Sequence, residues 1–361
     1  MISRAAAGAV LVAAGLAVPW SGLVPGAGAS KRALPACTVT VHSGSTQRTP
    51  LQLVNGEVLC AAGTFTNRNT ITVASGGSAV IEAPHFVNDG SVVVATGTTL
   101  QLTNRPENLT GTKLAGGSWT AAGTLSVPGE ITTLAASVTL SGAGEIENST
   151  NSANAVDSLS TITNAGTLTL NDSAYLATGS VSSAGTVILG TTGDSGDSVN
   201  WQDSGTFAMT GGSFTFRDPN ACINVGSRAF AISGGTMSGF GMLTGAVTVS
   251  GSAHFAPTLN GAPASFWLNG SYTQTGGTFN DSVSNPSGTP SVGSLWASGA
   301  VTVGGTLTVH STGTRPTAGT SFHIIEGSSA SGSFSAVHNS GVARFSQSIV
   351  SPNASIVTLA K

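Results

Sequence analysis

Residues Ser160–Gly190 read STITNAGTLTLNDSAYLATGSVSSAGTVILG, and the stretch states one phrase twice. Ala165-Gly166-Thr167 opens the alternating run Leu168-Thr169-Leu170, and Ala184-Gly185-Thr186 opens Val187-Ile188-Leu189 nineteen positions later. Apolar residues at every second position, rich in β-branched side chains, mark a strand with one buried face. The glycine before each run fits a tight corner, where positive φ is tolerated. Outward from this stretch, Gly-Thr-apolar returns at Gly63, Gly123, Gly205, Gly235, Gly277 and Gly305. Strict alternation recurs in Thr38–Val41, Thr70–Val73, Val301–Val303 and Thr306–Val309. No segment shows a sustained helical period.

Short strands at a step near twenty fit a solenoid, in which each coil buries its inward residues against its neighbours. A string of β-sandwiches would show linkers between units. The nearest thing to one, Asn285–Gly293, reads as a loop inside the pattern. A chain of 361 residues would also be large for one compact core. Parallel crossovers are right-handed almost without exception. The expected fold is therefore all-β, a right-handed parallel β-helix forming a single elongated domain.

Residues 1–29 carry one basic residue, Arg4, then an uncharged apolar run ending Ala27-Gly28-Ala29. This is the pattern of a secretory signal peptide. The expected layout is 1–29 signal peptide, 30–65 N-terminal capping coil, and 66–361 solenoid coils with C-terminal closing strands. Beyond the leader no run approaches a membrane span, so a secreted, extracellular protein without an integral membrane segment after cleavage is expected. Only 7% of residues are charged, against roughly 25% in ordinary domains. After cleavage, 11 basic residues stand against 15 acidic ones, with no basic cluster. That argues against nucleic acid as a partner. With 40% hydrophobic residues and a mean hydropathy of +0.24, the composition argues against disorder.

Cys37–Phe65, with Gly56-Glu57-Val58-Leu59-Cys60-Ala61-Ala62-Gly63-Thr64-Phe65, resembles the first coil of pectate-lyase-like β-helix proteins. Gly270–Phe279 (GSYTQTGGTF) and Gly299–Val309 (GAVTVGGTLTV) resemble adhesin-like repeats of autotransporter passengers. The resemblance implies a β-helix, and either a polysaccharide-active or an adhesive role.

The Asn-Thr-Asp, Asp-Asp, Gly-His-Gly and Arg-Ile-Lys elements of polygalacturonase-like enzymes do not occur in this sequence. Arg217-Asp218-Pro219-Asn220-Ala221-Cys222 half-matches a lyase phrase, with Cys222 in place of the second Arg, and reads as a turn or a loop salt bridge. Glu145 and Glu147, two apart on a strand, share a face at about 7 Å and are the catalytic candidates if the protein is an enzyme. Asp194 and Asp197, in Gly193–Ser198, are calcium candidates. No cofactor is expected, and six histidines show no zinc spacing. Cys37 and Cys60 are expected to pair, leaving Cys222 without an assigned role. Trp119, Trp201, Trp267 and Trp296 suit either a sugar-stacking platform or core filling. Thr-x-Thr pairs at 38/40, 70/72, 161/163, 167/169 and 306/308 raise a surface-binding ladder, irregularly spaced.

The expected function is a non-catalytic extracellular structural or adhesive solenoid that binds a cell-surface or polysaccharide ligand. The alternatives are a β-helix polysaccharide lyase or hydrolase, and a Thr-ladder ice or surface binder.

Overall fold

The computed structural model describes residues 36–191, 198–286, 290–350 and 354–359. The signal-peptide reading of 1–29 and the calcium candidates Asp194 and Asp197 lie outside the described residues. Residues Cys37–Lys361 form one compact unit. Among the described residues there is no helix.

The unit is a parallel β-helix. A coil has three strands, as in Ser78–Glu82, His85–Asn88 and Ser91–Val94. Each strand pairs in parallel with its counterpart one coil on. We number the sheets first, second and third by the order of strands within a coil. The third is continuous from Leu51–Leu53 to Ala336–Gly341. Some strands turn corners without breaking. Cys222–Gly239 runs through all three sheets, pairing Asn200 with Cys222, Phe207 with Phe230, and Phe214 with Met237. The expected boundary at residue 65 falls inside the strand Thr64–Asn67, while the second coil opens at Val58.

The quoted phrase is a coil-to-coil register. Leu168 pairs with Val187 and Leu170 with Leu189, and all four are fully buried. A one-residue slip would expose the whole set. The phrase's glycine has a different cause from the expected one: neither Gly166 nor Gly185 has positive φ. A Cβ on Gly185 would instead lie 2.3 Å from the Thr163 carbonyl oxygen and 2.4 Å from that of Gly166. Close approach of stacked corners, not backbone strain, demands glycine there.

Inside, aromatic rings stack along the axis, each pair adding about 0.5–1.5 kcal/mol beyond burial. Phe207 and Phe230 lie 4.6 Å apart with nearly parallel rings, and Phe65 and Phe86 lie 5.8 Å apart. Buried amides close one corner: Asn67 Nδ2 donates to Asn88 Oδ1 at 2.8 Å, and Asn88 Nδ2 to the Ser118 carbonyl at 3.1 Å. At the far end parallel pairing stops. Ser321–Glu326 pairs antiparallel with Ala354–Leu359, which pairs antiparallel with Phe345–Val350, covering an edge open to other chains. The expected disulfide is present, Cys37 to Cys60 with Cα atoms 5.7 Å apart.

Candidate functional site

Inward positions are filled by packing, so the outer faces carry what the fold does not need. On the first sheet, register aligns one outer row: Tyr175, Asn200, Cys222, Met242, Trp267 and Trp296. Five strand spacings separate its ends, about 24 Å. Tyr175 is 58% exposed and Trp267 55%. The indoles of Trp267 and Trp296 stack with centroids 5.7 Å apart at 20°. Trp296 Nε1 donates to Ser294 Oγ at 2.9 Å, which fixes its ring. Met242, Asn269 and Ser298 complete a shallow 260 Å³ depression around the pair. Thus the four tryptophans among the described residues divide: Trp119 and Trp201 are core, Trp267 and Trp296 are surface.

The sequence held a signal for that division. Trp119 and Trp201 are flanked by polar residues, so alternation turns them inward. Trp267 lies between Phe266 and Leu268, and Trp296 between Leu295 and Ala297. When both neighbours of a strand aromatic are apolar, the aromatic is the one that faces water.

Near Tyr175 the face deepens into a cavity of about 690 Å³ lined by Tyr175, Asp157, Gln202, Asp203, Asn224 and Arg228. The strand through Asn224 loses regular pairing between Asn224 and Ala229, which places Gly226–Arg228 at its edge. Asp203 is 3% exposed, and burial pushes its carboxyl up to about 6 although the Gly205 N–H opposes the shift. Oδ1 accepts from that N–H at 2.8 Å, while Oδ2 has no partner. Burial, then the nearby Glu145, raises Asp157 as well.

Glu145 and Glu147 project from the outer face of Glu145–Asn148, half-buried on either side of buried Ile146. Glu145 is near enough to Asp157, twelve residues on, for its charge to raise the Asp157 carboxyl, a proximity that local pattern does not show. Asp218 is buried and accepts from the Asn220 N–H at 2.7 Å, so the Arg217–Cys222 stretch is a turn. Among the described residues, the one grouping of three potential metal ligands is Cys37, Cys60 and Glu82, and its two sulfurs form the disulfide. Cys222 is a free, half-buried thiol within the outer row, its pKa raised by burial.

The third sheet carries a second feature. Thr70, Ser91, Ser118, Ser137, Thr167, Thr186, Ser213, Thr236, His254, Thr278 and Thr306 align in one outer row. A parallel row includes Thr72, Val93, Thr120, Thr139, Thr169, Ile188, Thr215 and Ser238. Neither row contains Asp, Glu, Lys or Arg. The irregular sequence spacing is thus a regular spatial ladder, because length varies in the corners rather than in the strands.

Compared with protein-family models and with curated proteins, the chain matches none. Among the described residues no helix is long and apolar enough to cross a membrane.

Proposed function

We propose that the protein is an exported, non-catalytic adhesive β-solenoid that binds a surface polymer, a polysaccharide, along the outer face of its first sheet. The stacked, water-exposed Trp267–Trp296 pair carries the reading. Large apolar side chains on a strand's wet face contribute nothing to the core and are unfavourably hydrated. Their ring faces complement the C–H faces of sugar rings, and the adjacent Asn269 and Ser298 supply hydrogen-bonding groups for hydroxyls. The leader-like N-terminus, the disulfide and the low charge support export. The likeness of Cys37–Phe65 and Gly270–Phe279 to pectate-lyase-like and adhesin-like repeats agrees with a carbohydrate-facing role.

The test is retention of the purified protein on immobilised cell-wall and extracellular polysaccharides. Trp267→Ala with Trp296→Ala should weaken binding by about tenfold or more, an aromatic anchor contributing about 2 kcal/mol or above. Undiminished retention of the double variant would refute the site.

The hydroxyl rows of the third sheet favour a second reading, a Thr-ladder binder of ice or another ordered surface. Rows separated by about 7 Å, with positions about 4.8 Å apart along each and most of them bearing hydroxyls, form a lattice without acidic residues, lysine or arginine. Thermal hysteresis abolished by Thr169→Tyr would support it, and its absence in the native protein would remove it.

A further inference from the structure

The two ends of the β-helix are finished differently. At the C-terminal end Ser321–Glu326 pairs antiparallel with Ala354–Leu359, which covers that edge. At the N-terminal end the first coil consists of Val39–Val41, Ser45–Gln47 and Leu51–Leu53. Each pairs in parallel with one strand of the second coil, and among the described residues none has a strand on its other side. In a parallel ladder alternate residues bond to opposite sides, so each of these strands turns unpaired N–H and C=O groups outward. The side chains lack a cover too. Val39 and Leu51 are only partly buried, whereas their partners one coil in, Leu59 and Ile71, are fully buried.

Solenoids ordinarily guard such an end with a polar cap, and exposed edge strands with charges or proline. Here the three strands read VTV, STQ and LQL and contain neither. The edge is also held in place, since the Cys37–Cys60 disulfide ties the start of the first coil to the second. The chain just upstream is too short to complete it. Cleavage after Ala29 leaves seven residues, 30–36, ahead of Cys37. A coil here takes 20 to 22 residues, the steps from Val39 to Leu59 and from Leu59 to Ile81. Seven residues lie along at most one of the three edges, and Pro35 among them cannot donate to a ladder.

We propose that this end is an interface between two copies of the chain, joined end to end across a two-fold axis with their first-coil edges paired antiparallel. The proposal rests on the export reading, which removes residues 1–29. A two-fold axis across the coil sets one edge strand against its own copy and exchanges the other two, so every open edge meets another. The covered C-terminal end offers no complementary edge, which rules out a head-to-tail fibre and closes the assembly at two. Such a dimer carries two tryptophan faces on one particle, and its second contact with a polymer becomes intramolecular.

The chain beginning at Ser30 tests this by sedimentation velocity and light scattering from micromolar to hundreds of micromolar, with hydrogen exchange followed at both limits. The expected species is a dimer with nothing larger. Amides of residues 39–53 should exchange more slowly, by about tenfold or more, where the dimer forms. Val39→Lys, which places a charge at the open edge, should weaken association by about tenfold or more. Where that variant does not fold, the concentration dependence of exchange in the native chain still decides. A monomer at every concentration would overturn the proposal, as would a ladder of larger oligomers or a folded Val39→Lys that dimerises normally. Protection of residues 39–53 that does not change with concentration would overturn it as well, by showing that residues 30–36 cover the end. Loss of the dimer on Trp267→Ala with Trp296→Ala would place the interface on the tryptophan face instead. The mass of the exported chain separately checks cleavage after Ala29, so failure of the export reading is told apart from failure of the dimer.

Discussion

Asp203 allows a stability measurement that needs no ligand. Burial raises its carboxyl from 3.8 to about 6 in the folded chain. Between those values the folded state holds a proton that the unfolded state has released. Stability from this group is therefore full below pH 3.8 and falls as pH rises through about 6. The loss amounts to about 3 kcal/mol by pH 7. Asp203→Asn removes the titration but places an amide N–H₂ where Oδ2 has no partner, at about 1–3 kcal/mol. The net change at pH 7 is consequently small, and the informative quantity is the difference between variant and native stability at two pH values. Titration of Asp157 and Asp281, which burial also raises, is common to both proteins and cancels to first order. Urea unfolding at pH 4 and pH 7 should show the variant gaining about 2.4 kcal/mol relative to the native chain as pH rises. A relative gain below about 1 kcal/mol would mean that Asp203 is solvated or paired in solution, refuting the buried, unpartnered carboxylate.

Leu168→Ala, in the ladder between Val138 and Val187, should lower stability by about 2–5 kcal/mol, and Leu168→Asp should abolish folding of the neighbouring coils. An unchanged melting temperature in either variant would contradict the register. Replacing Cys37 and Cys60 by Ser should cost about 3 kcal/mol from loop closure, and non-reducing peptide maps should show Cys222 alone open to alkylation. Gly185→Ala should destabilise the stack because its methyl would meet two carbonyl oxygens, and calorimetry should show a lowered transition. Glu145→Gln and Glu147→Gln should leave polymer retention unchanged, since neither lines the tryptophan depression.

What could be read from the sequence was what is local. Alternation is a two-residue signal, so Leu168, Leu170, Val187 and Leu189 declare their inward side without knowledge of any partner. The pairing of Cys37 with Cys60 followed from two apposed strand-like segments in a chain expected to be exported. The outer rows were harder. Ser213 follows Thr186 by 27 residues, whereas His254 follows Thr236 by 18. The difference is absorbed in corners that strand patterns do not count, which hides a ladder regular in space. The Asp157–Asp203 cavity was not legible at all. It depends on a strand irregularity after Asn224 and on a loop brought over the same face, and neither has a periodic signature. The tryptophans lie between these cases, since their flanking residues did mark which two face outward.

This division also says where function can reside in such a protein. Packing fixes the inward rows, because each side chain there touches its counterparts above and below. Several corners are fixed by close backbone approach, as at Gly166 and Gly185. Outer rows are the remaining freedom, and most of their positions hold Ser, Thr or Asn, which suit a hydrated strand surface and carry little charge. Against that background an exposed Tyr175, Met242, Trp267 and Trp296 on one row of one sheet is not filler. A threonine at any of the four would give a better-hydrated strand with the same fold. Removing them should accordingly leave the coils folded, which separates their role from that of Leu168 and places it in contact with something outside the chain.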